Sequence, residues 1–428
     1  MMHPLYPRRL IACTAGLVLT GATLLAAQSC VQPHCSSPSY AEAECRVIAE
    51  NVHARLQSSA GAELRFQDPD VTTDDTWDAR GLVEELDDGT IHARIAAPGR
   101  FALSLRAPED ATTDTALHVR LSNVDPAATV TLSGDDGETE IPGTDSTRRE
   151  LDLVLAPGQV RWIRGDRACP SRYRLAVVGD IQTNPTQFER IADRLAEDAR
   201  SSLAEGVPLV GLVIVGDLTE ASRDDEFETI GEVLGRLPIP TALTPGNHDI
   251  YRPTRPHFNR KFGPGNHAAN ICGLRLALLD SGSGSVAPSV QARVPELIDR
   301  NGATFLVAGM HHPPYAGLTG AGWSREDDAA ALLVELARER ADLVVAGHSH
   351  ALRDYEDIPV GDVTLREVIV GTGGAYQGIG IPRYGYMRFE FDDDAATTEQ
   401  CFMEVPPVGY AEPPNEPASP RLPHCPEP

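Results

Sequence analysis

Between residues 62 and 168 apolar and polar positions alternate in short runs: TIHARIAA, RFALSLRA, ALHVRLSN, ATVTLSG, ELDLVLA and QVRWIRG, separated by Pro, Gly and Asp. A period of two with turn residues at regular spacing predicts an all-β sandwich. From Tyr173 the texture changes. YRLAVVGD and LVGLVIVGD are near-continuous apolar runs, the pattern of strands covered on both faces. Between them, NPTQFERIADRLAEDARSSLAEG sets Phe188, Ile191 and Leu195 at helical spacing. WSREDDAAALLVELARERA reads as a helix opened by Ser324 as its cap, with Asp327 as box partner. Strands alternating with helices predict an α/β domain.

The patterning divides the chain into an export signal (1–29), a cysteine-containing linker with a short helix (30–61), a β-sandwich (62–168), the α/β domain (173–404) and a tail (405–428). The tail, PPVGYAEPPNEPASPRLPHCPEP after Val405, is too proline-rich to join a sheet, and Cys425 is placed to tie it down. Arg8 and Arg9 precede the apolar stretch 10–27, which ends in small residues: the marks of a secretory signal. Its 18 residues include three threonines and two glycines, which makes it short and weak for spanning a bilayer.

Cysteine parity bears on the compartment. Of eight cysteines, Cys13 lies in the signal; if Cys30 is a lipid-anchored first residue, six remain, enough for three disulfides. Ala27-Gln28-Ser29-Cys30 matches a lipobox only in part. A periplasmic, outer-membrane lipoprotein or secreted location is expected, with pairing and oligomeric state left open. The net charge, 37 − 62 = −25, argues against wrapping nucleic acid. A small phosphorylated substrate stays possible, because a bound metal reverses local charge. Lys261 is the single lysine, so lysine-nucleophile chemistry is improbable.

Five apolar runs of the α/β domain end in polar clusters: Asp180 and Gln182; Asp217; Asn247, His248 and Asp249; His311 and His312; His348 and His350. Ligands bind outside the carboxyl ends of strands in such sheets, so the clusters are expected on one rim. Carboxylate, amide and imidazole without thiolate suit Mn, Fe or Zn. Seven ligands exceed what one tetrahedral ion takes and fit two ions sharing a carboxylate, an arrangement for in-line displacement at phosphorus.

The ordered series GDIQ, GDLT, GNHD, MHHPPY and GHSH resembles the calcineurin-like metallophosphoesterases over about residues 173–392. The resemblance implies a sandwich of two mixed β-sheets flanked by helices, preceded here by the all-β sandwich. It implies a dinuclear hydrolase of phosphate mono- or diesters whose nucleophile is a metal-bridging hydroxide. Asp180 and His350 would hold one ion, Asn247, His311 and His348 the other, and Asp217 both; His312 is the register alternative to His311. His248 would face the substrate, stabilising the transition state or protonating the leaving oxygen, with Asp249 orienting its ring. Gln182 departs from the family's usual histidine and would ligate or hold a water. Glu220 stands where the similar purple acid phosphatases carry a tyrosine ligand, which argues against a purple iron site. The competing reading is a catalytically silent binding or scaffold protein, with Gln182 marking a lost metal.

Pro-Gly-Asn-His occurs twice, at 245–248 and 264–267. The second copy precedes a strand instead of closing one, so Asn266 and His267 are expected to be turn residues outside the ligand set. Asp280 is expected at most to support a loop.

Overall fold

The computed structural model describes residues 42–67, 77, 80–135, 137–144, 146–252, 256–315, 322–377, 382–408 and 423–425. The expected export signal, Cys30 and most of the tail lie outside these residues. By contact density Cys35–Pro428 forms one unit, and everything described belongs to it.

A helix, α1 (Ala43–His53), leads into ten strands: β1 (Arg55–Gln57), β2 (Glu63–Phe66), β3 (Gly81–Glu85), β4 (Ile91–Ile95), β5 (Phe101–Arg106), β6 (Thr115–Ser122), β7 (Ala128–Gly134), β8 (Gly137–Ile141), β9 (Arg148–Leu155) and β10 (Val160–Arg167). They form a six-stranded sheet, β1-β2-β5-β10-β7-β8, and a four-stranded one, β3-β4-β6-β9. Alternate residues of both sheets, among them Leu64, Leu103, Val119, Leu155 and Ile163, build one core, as the period of two requires. Only β4 and β6 pair in parallel here.

The second half runs β11 (Arg172–Val178), α2 (Pro185–Ala204), β12 (Leu209–Val215), α3 (Asp224–Leu234), β13 (Thr241–Thr244), α4 (His257–Phe262), β14 (His267–Ile271), β15 (Leu274–Leu279), α5 (Pro288–Gln291), α6 (Val294–Ile298), β16 (Phe305–Met310), α7 (Glu326–Arg338), β17 (Leu343–Ala346), β18 (Leu352–Val360), β19 (Val363–Val370), β20 (Gly385–Asp392) and β21 (Thr397–Glu404). The sheets are β13-β12-β11-β20-β21 and β14-β15-β16-β17-β19-β18. Both are mixed: β11, β12 and β13 run parallel, as do β15, β16, β17 and β19, with antiparallel strands outside them. Residues of both sheets meet in a shared core that includes Val177, Val213, Leu278 and Val307. Helices α2, α3 and α4 cover the outer face of one sheet, and α6 and α7 cover the other. The near-continuous apolar runs are explained by this double burial: every residue of β12 is buried.

Three local expectations are corrected. Ser324 does not cap α7: its hydroxyl donates to the Gly284 carbonyl, and the helix opens after Arg325. The tail does join a sheet edge, because His424 forms a parallel bridge with Phe402 and Pro423 contributes only its carbonyl, the group proline keeps. The Cys401–Cys425 disulfide holds it there. Of the two expected turn residues, Asn266 lies in the bend before β14 and His267 opens that strand, and both are buried.

Their burial has a cause. Arg46 of α1 makes two bonds, of 2.5 and 2.8 Å, to the Asp280 carboxylate. Glu50, one turn on, accepts from the backbone of Gly265 and from the backbone and amide of Asn266. The Asn266 side chain in turn accepts from Asp280 N. The second Pro-Gly-Asn-His is thus a docking point for α1, and Asp280 does support a loop, as an ion-pair partner.

Candidate metal centre

All nine predicted site residues fall within the described part, at the carboxyl ends of β11, β12, β13, β16 and β17. Two groups of ligand atoms lie within 4.8 Å of one another: Asp180, Asp217 and His350, and His311, His312 and His348. Asn247 joins the second group, its Oδ1 3.0 Å from His311 Nε2. Gln182 joins the first, its amide nitrogen 2.7 Å from His350 Nε2. The strands end in strained backbone. Asp180, Asp217, His348 and His350 have φ of 58, 55, 69 and 44°, a region that costs a non-glycine residue roughly 1–3 kcal/mol and concentrates at functional sites. Close backbone approach adds to the demand: a Cβ on Gly246 would strike the Asp217 carboxylate, and one on Gly347 the Asp180 carboxylate.

Backbone carbonyls fix the imidazoles. His311 Nδ1 lies 2.9 Å from the Val215 carbonyl and His350 Nδ1 2.9 Å from that of Tyr376. A carbonyl only accepts, so each Nδ1 carries the hydrogen and each neutral ring aims an Nε2 lone pair into the site. His311 Nε2 then faces Asn247 Oδ1 at 3.0 Å and Asp217 Oδ2 at 3.3 Å. Three lone-pair atoms meet with no hydrogen between them unless a proton or a metal ion joins them. Without an ion the proton is favoured, and the two neighbouring carboxylates raise His311 to about 9 against its burial.

The other groups match this reading. Burial, with the charge of Asp217 beside it, pushes the Asp180 carboxyl up to about 8. Burial and the neighbouring His311 hold His348 down at about 4 and His312 at about 2, so both stay neutral donors. Gln182 Oε1 and Asp217 Oδ2 are buried with no hydrogen-bond donor. A buried oxygen without a donor is costly unless a cation satisfies it. The residues present therefore fit two metal ions, while Gln182 turns its amide nitrogen to His350 and keeps its buried oxygen without a partner. His312 stands in the same cluster as His311, but only His311 reaches Asn247 and Asp217.

His248 is placed differently. Its backbone N–H donates to Asp217 Oδ1, while its Nδ1 lies 2.8 Å from the Glu220 carbonyl. The expected orienting role of Asp249 is corrected. That carboxylate is taken by the N–H groups of Gly246, Leu218 and Thr219 and by the Thr219 hydroxyl, none of them on the His248 ring. Asp249 braces the two loops that carry Asp217 and Asn247. Tyr251 went unnoticed in the sequence: its hydroxyl binds the Asn247 amide nitrogen at 3.1 Å, which turns Oδ1 inward, and its ring lies 4.6 Å from that of His248. Its place two residues beyond GNHD was the available signal. The carbonyls of Val215, Glu220 and Tyr376 leave none.

A cavity of about 370 Å³ opens beside the centre, between Gln182, Thr183 and Pro185 on one side and Leu218, Glu220 and Arg223 on the other. Arg223 is paired there with Asp225 and Glu226.

The model of the calcineurin-like phosphoesterase family matches residues 173–352. The glycerophosphodiester phosphodiesterase GpdQ of Enterobacter lignolyticus (strain SCF1) is 29% identical over 119 residues, 24% of this chain and 41% of that protein. The chain thus spans about two fifths of the length of this curated relative. Among solved structures it is similar to the purple acid phosphatase PPD1 of yellow lupin (Lupinus luteus) seeds, with 12% identity, TM-score 0.42, and 81% of this chain and 89% of that one covered. It is also similar to GAP50 of Plasmodium, with 15% identity, TM-score 0.43, and 59% and 91% covered. Residues 173–352, with the ligand types and strand ends described above, match the calcineurin-like phosphoesterases, a family of hydrolases.

Proposed function

We propose that this protein hydrolyses phosphodiesters outside the cytoplasm, with two metal ions held by Asp180, Gln182, His350 and Asp217 and by Asp217, Asn247, His311 and His348. The observation that carries the reading is the pair of ligand groups, Asp180, Asp217 and His350 beside His311, His312 and His348, with Asp217 Oδ2 buried and without a donor. Mn, Fe or Zn ions there would offset phosphoryl charge and ionise a water at neutral pH.

The chain's own residues do the rest. The Glu220 carbonyl keeps the hydrogen on His248 Nδ1, so Nε2 is the free nitrogen and gains the exchangeable proton when the ring charges. The Glu220 carboxylate lies 3.8 Å from Nδ1. His248 can then donate from Nε2 to the departing alkoxide. The cavity beside Gln182 and Glu220 offers room for the alcohol part of the ester. A diester is favoured because its monoanion suits an opening bordered by Glu220 and a neutralised Arg223, and because the curated relative bears a phosphodiesterase name. Export rests on the disulfides Cys169–Cys272 and Cys401–Cys425, which persist in oxidising compartments, and on the signal-like start of the sequence.

The discriminating assay compares kcat/KM for bis(p-nitrophenyl) phosphate and p-nitrophenyl phosphate in Mn²⁺. The diester should lead by at least about tenfold, and Glu220→Gln should narrow the gap. A monoester preference would overturn the substrate class. Failure to turn over either ester with any of the three metals would favour the silent-scaffold reading.

A further inference from the structure

The hydrolytic chemistry uses Asn247 and His248 but not the tyrosine that stands beside both. Asn247 has helical backbone angles, His248–Ile250 form one 3₁₀ turn, and Tyr251 continues it with φ of −64° and ψ of −20°. Helical backbone over these five residues brings Tyr251 over Asn247. Tyr251 is 53% exposed, too open to serve the core. Its side chain instead meets two residues of the centre. The Asn247 amide nitrogen donates to the tyrosine hydroxyl at 3.1 Å. The tyrosine ring centroid lies 4.6 Å from that of His248, with the planes tilted by 51°.

The backbone beneath is fixed from the neighbouring loop. Ser222, with φ of 53°, donates its hydroxyl to the His248 carbonyl at 2.6 Å and accepts from Tyr251 N at 2.8 Å. Its own N–H donates to the Thr219 hydroxyl, in the loop that carries Asp217 and the Glu220 carbonyl. One serine thus ties the turn bearing Asn247, His248 and Tyr251 to the loop bearing Asp217, and the tyrosine has a fixed place. Each of its contacts then has a chemical consequence. An asparagine amide takes a cation through its oxygen, since its nitrogen carries two hydrogens. Asn247 Oδ1 faces the cluster, 3.0 Å from His311 Nε2, and holding Nδ2 on the outer side keeps the amide in that plane. The His248 imidazole is tethered at one edge, through Nδ1 to the Glu220 carbonyl. A single bond at the edge leaves the ring able to swing, and the tyrosine beside it closes one direction of movement.

We infer that Tyr251 is a positioning residue for both halves of the reaction. Its hydroxyl holds the Asn247 amide for the ion that Asn247, His311 and His348 would bind, and its ring holds the His248 imidazole toward the leaving oxygen. The inference rests on the two-metal reading above.

Two substitutions in the full chain separate the two contacts. Each metal-stripped protein is titrated with Mn²⁺ in a calorimeter, and kcat and KM for bis(p-nitrophenyl) phosphate are measured at saturating Mn²⁺. Tyr251→Phe keeps the ring and loses the hydroxyl. One of the two ions should then bind about two- to tenfold more weakly, the range of one neutral hydrogen bond. Tyr251→Leu loses both contacts. It should show the same weakening, with kcat at least about tenfold below native and KM within about twofold. Tyr251→Phe should recover most of the kcat that Tyr251→Leu loses, because the ring is restored. Should Tyr251→Leu fail to fold, Mn²⁺ affinity in Tyr251→Phe decides. Native Mn²⁺ affinity in Tyr251→Phe, a kcat there as low as in Tyr251→Leu, or a lowered melting temperature with affinity and kcat unchanged would each overturn the inference and leave the two-metal reading intact. A native chain that binds no second ion would overturn that reading, and the inference with it.

Discussion

The ring of His248 hangs from one hydrogen bond, to the Glu220 carbonyl, and stays partly open to solvent. His267, in the same four-letter sequence, is 1% exposed, and burial beside Arg80 and Arg94 holds it at about 3, so it remains neutral. His248→Ala should therefore lower kcat by about 10²–10⁴-fold with metal content near that of the native chain. His267→Ala should leave kcat within about twofold and lower the unfolding free energy by roughly 1–3 kcal/mol through the cavity it opens. Steady-state kinetics, metal analysis and urea unfolding read all four quantities; loss of metal in the first variant would reassign His248 as a ligand. Most of the site was legible at this scale because ligand chemistry resides in side chains, and Asp180, Asp217, Asn247 and the histidines each close an apolar run. What stayed hidden was the apparatus that aims them. The carbonyls of Val215, Glu220 and Tyr376 have no signature, since any residue supplies one. Asp249 was misassigned because a carboxylate next to a histidine in sequence points elsewhere once the loop turns.

Among the elements, strands and long helices followed directly from periodicity, since burial on one face or both dictates it. Contacts between elements did not. The pairing of α1 with the Asn266 and Asp280 loops joins residues more than two hundred positions apart, and the docking of His424 on β21 needs only the edge that Phe402 presents. The Ser324 cap failed for a similar reason: a nearby loop claimed its hydroxyl first. Strand β19 adds a pH dependence. Glu367 is fully buried; its Oε1 has no donor, its Oε2 meets only Tyr315 N, and burial raises its carboxyl to about 8 from 4.5. Between those values the folded chain keeps the proton and the unfolded chain has lost it, so this group's contribution to stability falls as pH rises from 4.5 to 8. Glu367→Gln should thus gain roughly 2–4 kcal/mol over the native chain between pH 5 and pH 9, measured by urea unfolding at both. A difference that does not change with pH would mean Glu367 ionises at its ordinary value in the fold.

For the whole molecule, the order of architectures was plain from texture: alternating strands first, apolar strands and helices after. Their junction was not. Arg94 of β4 reaches the Phe262 carbonyl and the Thr241 hydroxyl, and Asn123 bonds Thr241 through both ends of its amide, contacts that no local pattern announces. Cysteine parity allowed three disulfides without naming partners, and two are formed between described residues. The pair Cys169–Cys272 closes a span of 103 residues from the start of the catalytic half to the β14–β15 turn. A loop of that length restrains the unfolded chain by about 4.7 kcal/mol, so reduction should lower the melting temperature by several degrees in calorimetry; no change would show the link contributes nothing to stability.

The two-metal centre is the claim on which the functional reading rests. Metal-stripped protein titrated with Mn²⁺, with turnover of bis(p-nitrophenyl) phosphate followed at each addition, tests it most directly. Activity should rise from near zero and saturate at two bound ions per chain. A rate that is already full without metal, or that never appears after two ions have bound, would contradict it.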